Sequence, residues 1–89
     1  MEVKYGNLFL KDLKKLKNHS IYENLTELIF NTIPMTENIR DIPNVKRMKG
    51  CNNRYRIRVG EYRIGIELCD NHIEMIRLLH RNEIYRYFP

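Results

Sequence analysis

Arginine alternates with apolar residues in one short stretch of the chain, and this pattern has a clear chemical meaning. Residues 54–58 read Arg-Tyr-Arg-Ile-Arg, and Arg63 follows shortly after the pair Gly60–Glu61. Strict alternation predicts a strand with one apolar and one polar face. Guanidinium groups on the polar face would bind anions, because their N–H donors match the oxygens of a phosphate or carboxylate. The spacing therefore predicts an anion-binding surface, without yet indicating a reaction.

Positive charge is concentrated in the same part of the chain. The 89 residues carry 16 Lys and Arg against 11 Asp and Glu, a formal charge of +5. Residues 40–63 alone hold eight basic and two acidic residues, so the remainder is slightly acidic. Nucleic acid, an acidic protein and an anionic membrane surface are all compatible with such a segment. The residues that we predict to contact RNA or phosphate are Lys46, Arg47, Lys49, Arg54, Arg56 and Arg58.

Any catalysis by this chain is predicted to need neither a metal ion nor a cofactor. The sequence has no Walker-type loop, no HExxH motif and no cluster of carboxylates. Cys51 and Cys69 fit no metal-binding or disulfide pattern and are expected to be free thiols. RNA supplies its own nucleophile, the 2′-hydroxyl, so an enzyme needs a base, an acid and cations. His80, Tyr85 and the arginines could fill these roles, although packing roles for His80 and Tyr85 stay open.

Hydrophobic periodicity predicts the elements that must position these residues. No uncharged apolar run exceeds three residues, which excludes a transmembrane span. The first predicted elements are a strand over residues 1–5 and a helix over 8–18, which has Lys11, Asp12 and three further lysines outside its apolar stripe. A second helix is predicted to begin at a Ser20 cap and to end at about Thr32, before Pro34. A short strand within 43–49, strands flanking Gly60–Glu61 and Asp70–Asn71, and a helical turn within 81–89 are predicted to follow. This order predicts one α+β domain, residues 1–89, in which an N-terminal strand and a helical hairpin pack on a small antiparallel sheet (β-α-α-β-β-β).

The first tight turn predicts which basic side chains meet. If Gly60–Glu61 is a two-residue turn, Arg58 lies opposite Arg63 and Arg56 lies opposite Gly65. Directly opposed side chains share a face of the sheet. Gly65 would then leave a shallow floor on which a phosphate could sit among the arginines.

The second turn extends this grouping. If Asp70–Asn71 is also a two-residue turn, Leu78 lies beside Arg63, and His80 falls on the same face as the arginines. A register slip of one residue would move His80 to the other face. The predicted grouping therefore depends on an uninterrupted ladder between the two strands.

Two runs of the sequence carry a family resemblance. The run YRIRVGEYRIG begins at Tyr55, and the run LHRNEIYR begins at Leu79. Together they resemble the RelE/ParE superfamily of toxins from prokaryotic type II toxin–antitoxin systems, and within it the RelE branch. The two unpaired cysteines predict a cytoplasmic protein. The resemblance implies a toxin that enters the ribosomal A site, contacts 16S rRNA and cuts mRNA through 2′-hydroxyl attack.

The family also implies roles for individual residues. Its catalytic positions correspond to Arg63, Arg81 and Tyr85. Two basic strand positions correspond to Arg56 and Arg58, which are often lysine in the family. Arginine stays protonated and cannot act as a base. We therefore assign the base to His80 or Tyr85 and treat the arginines as phosphate clamps.

The family implies a partner as well. A cognate RelB-like antitoxin would wrap the toxin, block its basic site and form a heterocomplex with it, whereas no membrane partner is expected. Two other interpretations stay open. One is a ParE-like toxin that poisons DNA gyrase, and the other is a non-catalytic RNA- or ribosome-binding module, for which a basic sheet with exposed tyrosines would suffice.

Overall fold

The sheet has mixed strand directions. The computed structural model describes residues 1–88, and Pro89, the last residue of the predicted domain, lies outside this part. Within residues 1–88 the strands of the sheet are β1 (Glu2–Tyr5), β2 (Val45–Arg47), β3 (Arg54–Val59), β4 (Tyr62–Leu68) and β5 (His72–His80), which lie in the order β1-β5-β4-β3-β2. β1 runs parallel to β5, and the other neighbouring strands are antiparallel. The predicted α+β class is confirmed, with the short strand β2 present and one parallel pair that the prediction lacked.

The helical segments lie mostly between β1 and β2. They are α1 (Asn7–Lys15), α2 (Tyr22–Glu27), a π-helical turn (Leu28–Thr32), α3 (Ile33–Met35), a short 3₁₀ turn (Ile39–Asp41) and, near the C-terminus, α4 (Ile84–Tyr87). The predicted C-terminal helical turn is confirmed by α4. None of the helices in the described residues is long and apolar enough to cross a membrane.

Two details of the second helical segment differ from the prediction. The helix continues past Pro34, because this proline falls in the first turn of α3, where a missing N–H is tolerated. The prediction that Ser20 caps this helix is also wrong. Nδ1 of His19 accepts the N–H of Ile21 at 3.1 Å, and helix α2 begins only at Tyr22.

The main core lies between the helices and one face of the sheet. Alternate strand residues point into it, as the sequence pattern predicts. Its fully buried members are Phe9 from α1, Leu25, Ile29 and Ile33 from the second helical segment, and Ile57, Ile64, Ile66, Ile73 and Met75 from the sheet.

A second, smaller cluster covers part of the opposite face, which we call the outer face. It consists of Met48, Ile84 and Phe88. Phe88 is fully buried, and a Cβ atom added to Gly65 would lie 2.6 Å from two carbons of its ring. The predicted phosphate floor at Gly65 is therefore wrong, because the Phe88 ring occupies that space.

The first hairpin has the predicted register. Gly60 adopts a positive φ of 58° in the turn between β3 and β4. Arg58 lies opposite Arg63, and Arg56 lies opposite Gly65. These arginines therefore share the outer face of the sheet.

The second hairpin departs from the predicted register. Ile66 pairs with Met75, as the Asp70–Asn71 turn requires, but Gly65 pairs with Arg77. Ile76 is therefore an extra residue in β5, which is the definition of a β-bulge. Beyond this bulge, every partner on β5 is displaced by one residue.

This displacement changes the face on which His80 lies. Arg63 pairs with Leu79 rather than with Leu78, and Tyr62 pairs with His80. Tyr62 packs against the main core, so the side chain of His80 lies on the helical side of the sheet. The prediction that His80 joins the arginines is therefore wrong, because the bulge shifts the ladder by one residue.

A buried carboxylate joins α1 to the edge of β5. Asp12 is 5% exposed, although the sequence pattern groups it with the outer lysines of α1. Its Oδ2 accepts the N–H of Leu78 at 3.0 Å. Arg77 donates to the same carboxylate at 2.8 Å and 3.1 Å. Asp12 thus satisfies a backbone donor and neutralises a mostly buried guanidinium.

We expect Asp12→Ala to lower the free energy of unfolding by about 3–5 kcal/mol, because it leaves the Arg77 guanidinium and the Leu78 N–H without their acceptor. Denaturant unfolding monitored by circular dichroism measures this loss. Asp41→Ala is the matched control. Because this aspartate is exposed, its substitution should change the free energy of unfolding by no more than about 0.5 kcal/mol. Equal effects of the two substitutions would contradict the anchoring role of Asp12.

Gly65→Ala should lower the free energy of unfolding by about 1–3 kcal/mol, because the new methyl group overlaps the Phe88 ring. The same unfolding measurement tests this. Combining Gly65→Ala with Phe88→Ala should add little to the effect of Phe88→Ala alone, since the methyl group then meets no ring. Additive effects of the two substitutions would show that Phe88 is not the group that excludes a side chain at position 65.

Candidate functional site

Basic side chains line an open groove on the outer face of β2, β3 and β4. Two adjoining cavities, of about 330 Å³ and about 470 Å³, form the groove. Lys46 and Arg56 line both cavities, which makes the groove continuous. The basic groove, as we call it, is lined by Lys46, Arg47, Lys49, Arg56, Arg58, Arg63 and Tyr85, together with Asn44, Val45 and Met48.

Strand alternation and register explain how these residues meet. Arg56 and Arg58 are two residues apart on β3 and therefore point to the same face. Arg63 joins them as the direct partner of Arg58, and Lys46 joins them as the partner of Arg56 on the neighbouring strand β2. The central part of the groove is thus built on regular strands.

Contacts with residues of the β3–β4 turn hold two of the site arginines. The Nη1 atom of Arg63 donates to the carbonyls of Gly60 and Tyr62 at 2.8 Å and 2.9 Å. Arg81, just beyond β5, places its Nε 2.6 Å from a carboxylate oxygen of Glu61, and its backbone N–H donates to the Glu61 carbonyl at 2.8 Å. The turn therefore connects Arg81 to the end of the groove that holds Arg63.

The groove carries an excess of positive charge. Burial and then the charges of Arg56, Arg58 and Arg81 lower the pKa of Arg63, which the Glu61 carboxylate partly offsets. Each of these cations disfavours the charge of its neighbours. An anion bound between them would relieve this repulsion, and a phosphate could also accept bidentate hydrogen bonds. The electrostatics of the groove therefore favour a phosphate ligand.

Helix α4 brings an aromatic hydroxyl to the groove. The ring of Tyr85 lies against Arg56, with the guanidinium carbon 5.4 Å from the ring centre. Half of the surface of Tyr85 is exposed, whereas Ile84 and Phe88 on either side of it are fully buried. The buried pair fixes α4 on the sheet, and Tyr85 is thereby held at the groove as a proton-carrying group beside the arginines.

Three residues predicted for the site do not line the groove. Arg81 lies near the end of the groove that holds Arg63, and Arg54 and His80 lie elsewhere. The Arg54 guanidinium carbon lies 4.9 Å from the ring centre of Phe88, and its Nε is 3.8 Å from a Glu67 oxygen. The ring of His80 packs edge-on against Tyr62 with centroids 5.5 Å apart. Its Nδ1 accepts the N–H of Asn82 at 3.2 Å. The structure therefore brings together Tyr85 and most of the predicted basic residues but places Arg54 and His80 outside the groove.

Phe88 supports Tyr85, because it fixes the helix on which Tyr85 lies. It was not among the site residues predicted from the sequence. A signal for this contact was present, since a glycine inside a strand often marks the close approach of another group. In this chain that glycine is Gly65, and the approaching group is an aromatic ring.

One group of side chains in the described part of the chain could hold a metal ion. It consists of Cys69, His72 and Glu74, beside the Asp70–Asn71 turn. This turn follows the end of β4 that is remote from Arg63. The group is therefore separate from the basic groove.

Comparison with known sequences identifies the family. The family described as the ParE toxin of type II toxin–antitoxin systems, parDE, matches residues 3–85. Toxin RelE3 of Methanocaldococcus jannaschii is 41% identical over 90 residues, which cover 100% of both chains. The chain is thus similar to a RelE toxin over its whole length.

Solved structures agree with the sequence comparison. In the RelB–RelE antitoxin–toxin complex from Methanococcus jannaschii, one chain is 39% identical and matches with a TM-score of 0.75, covering 97% of this chain and 99% of that chain. The archaeal RelE–RelB complex from Pyrococcus horikoshii OT3 gives 25% identity and a TM-score of 0.62, covering 90% and 93% of the two chains. YafQ from E. coli shares the fold, with 16% identity and a TM-score of 0.73, over 94% of this chain and 97% of that chain. By sequence and by fold, the chain belongs to the RelE/ParE superfamily, as a RelE-family toxin of a type II toxin–antitoxin system.

Proposed function

We propose that the chain is a ribosome-dependent endoribonuclease that cuts mRNA in the A site without a metal ion. The observation that carries the proposal is the position of Tyr85 against Arg56, at the side of a groove that Arg58 and Arg63 also line. A proton-carrying hydroxyl and several fixed cations are the parts that this reaction requires.

The proposed reaction is a transfer within the RNA backbone. The 2′-hydroxyl oxygen attacks the adjacent phosphorus, and the bond from phosphorus to the 5′-oxygen breaks. The products are a 2′,3′-cyclic phosphate and a 5′-hydroxyl. One proton leaves the 2′-hydroxyl and one is added to the 5′-oxygen, so the reaction needs no external reagent.

Each residue of the groove has a role in this scheme. The arginines stay protonated and stabilise the negative charge that develops on the phosphate oxygens. Tyr85 is the group that accepts or donates a proton. Of the two bases considered from the sequence, His80 lies on the helical side of the sheet, and the geometry therefore favours Tyr85.

Dependence on the ribosome is consistent with the open shape of the groove. The groove offers charges and an aromatic ring but encloses no base, so a free RNA strand would be poorly oriented. A codon held in the A site, close to 16S rRNA, would supply that orientation. Such a substrate would place the protein in the cytoplasm.

We also propose a RelB-like antitoxin as the partner of this toxin. Two of the structures that contain a chain similar to this one are RelB–RelE complexes. Acidic segments would cover the basic groove, and apolar residues would cover exposed side chains on the helical side, such as Leu8, Phe30 and Met35.

A second candidate function is inhibition of DNA gyrase. The matching family is described as the ParE toxin, which favours this alternative. A gyrase inhibitor has no need of a tyrosine held among arginines, and for this reason we place the nuclease first.

The nuclease proposal is tested by primer extension on a defined mRNA in a reconstituted translation reaction, with and without ribosomes. We expect cuts at A-site codons that require ribosomes. Tyr85→Phe should slow cleavage by about 10²–10⁴-fold, because it removes the proton-carrying group. Arg63→Ala should slow it by about 10²–10³-fold, because it removes a cation that stabilises the transition state.

His80→Gln is the matched control for these variants, and it should cut at close to the wild-type rate. Loss of cleavage in His80→Gln with normal cleavage in Tyr85→Phe would reverse the assignment of the base. Blocked translation without cuts would mean that the groove binds but does not catalyse. Intact translation, together with inhibition of gyrase-dependent DNA supercoiling, would favour the ParE-like function.

Binding to the antitoxin should depend on the charge of the groove. We expect Arg58→Glu to weaken binding of the cognate antitoxin about tenfold or more, because it places a carboxylate where acidic segments dock. Isothermal titration calorimetry measures this affinity. Lys17→Glu makes the same charge change at an exposed position just beyond α1 and should have little effect. Equal weakening by both variants would indicate that overall charge, rather than contact with the groove, determines affinity.

A further inference from the structure

Three side chains with metal-ligand chemistry meet at the β4–β5 turn. Cys69 and His72 are directly opposed across this turn, and the N–H of Cys69 donates to the carbonyl of His72 at 2.8 Å. Opposed residues share a face, and Glu74 lies on that face two residues further along β5. One potential ligand atom from each side chain lies within 4.8 Å of the other two. The thiol, imidazole and carboxylate are therefore convergent.

One imidazole nitrogen of His72 makes no hydrogen bond with the described residues. This atom, Nε2, is buried, and its contact with Glu74 is an ion pair only when the imidazole is protonated. Such atoms are uncommon, because burial of an unpaired polar atom is unfavourable. The Glu74 oxygen nearest to it is 3.4 Å away. In a tetrahedral zinc site, bonds of about 2.0–2.2 Å place nitrogen and oxygen ligands about 3.4 Å apart, which is the same spacing.

The surroundings of these residues contain several carboxylates. Glu67 lies directly opposite Glu74, an arrangement of like charges that destabilises a sheet. Arg54 offsets part of the Glu67 charge, and Lys4 is the partner of Glu74 on β1. A divalent cation among the three convergent side chains would reduce the remaining repulsion and give the His72 nitrogen a partner.

We propose that Cys69, His72 and Glu74 bind one Zn²⁺ ion, with a water molecule as the fourth ligand. Thiolate and imidazole ligands favour zinc, whereas Ca²⁺ and Mg²⁺ prefer sites made of oxygen atoms alone. The ion would link the two strands at the β4–β5 turn. This turn follows one end of β4, and Arg63 lies near the other end. Because the site shares no residue with the basic groove, the ion would stabilise the turn, and the nuclease reaction proposed above would proceed without it.

Known ligand spacings do not predict this metal site. Cys69, His72 and Glu74 form a C-x₂-H-x-E pattern, which matches none of the usual zinc motifs. Only the tight turn, which places Cys69 opposite His72, brings the pattern onto one face. Both cysteines are free, as predicted. Cys51 is not a member of the group and therefore provides a matched control.

The test uses the full chain, reduced and freed of metal with a chelator, and titrated with Co²⁺ and then with competing Zn²⁺. We expect one Co²⁺ per chain, with a thiolate-to-cobalt charge-transfer absorption that Zn²⁺ abolishes. Cys69→Ser should lose this absorption, whereas Cys51→Ser should retain it. His72→Gln and Glu74→Gln should each weaken Zn²⁺ binding by at least about 10-fold.

Thermal unfolding provides an independent measurement. Zn²⁺ should raise the unfolding temperature of the wild type and of Cys51→Ser but not that of Cys69→Ser, because a ligand that binds only the folded state stabilises it. Circular dichroism of each metal-free variant verifies its fold, and three separate ligand variants keep the test valid if one misfolds. Wild-type absorption in Cys69→Ser, loss of absorption in Cys51→Ser, or no binding by the wild type would each overturn the proposal.

Discussion

The contact between the Phe88 ring and the backbone of Gly65 is the constraint on which the site depends. The ring can approach the sheet this closely only because position 65 has no Cβ atom. Together with buried Ile84, Phe88 fixes the short helix α4 to the outer face. A four-residue helix would not hold its conformation by itself, since isolated helices of this length are unstable in water. The position of Tyr85 beside Arg56 is therefore a consequence of packing between the C-terminus and the middle of β4.

The β-bulge in β5 determines to which face of the sheet the last residues of this strand point. Because Ile76 is an extra residue opposite the junction of Gly65 and Ile66, Leu79 contributes to the cluster around Phe88, and His80 turns toward the helices. The bulge also precedes Arg77, which reaches Asp12 on α1. The residues that follow this bulge therefore pack against the cluster that supports α4 and also bind α1 through Asp12.

Sequence reasoning succeeded where a local signal determined the structure. The Gly60–Glu61 turn fixed the first hairpin, and so the meeting of Arg56, Arg58 and Arg63 could be predicted. The bulge has no comparable local signature, and one extra residue was enough to misplace His80. The burial of Asp12 could not be predicted either, because it depends on how α1 lies along the edge of β5, which is a tertiary arrangement. The same holds for Arg54, whose neighbour Phe88 is distant in sequence.

The two carbonyl hydrogen bonds of Arg63 have a consequence for the entropy of ligand binding in the groove. An arginine side chain has about 2 kcal/mol of rotamer entropy to lose when it becomes fixed. Arg63 has already lost much of this freedom, because the carbonyls of Gly60 and Tyr62 hold its guanidinium. Arg58, which is exposed, keeps its freedom. The groove therefore combines one preorganised cation with an adaptable one, an arrangement that would suit the RNA ligand proposed above, in which the phosphates are constant and the bases vary.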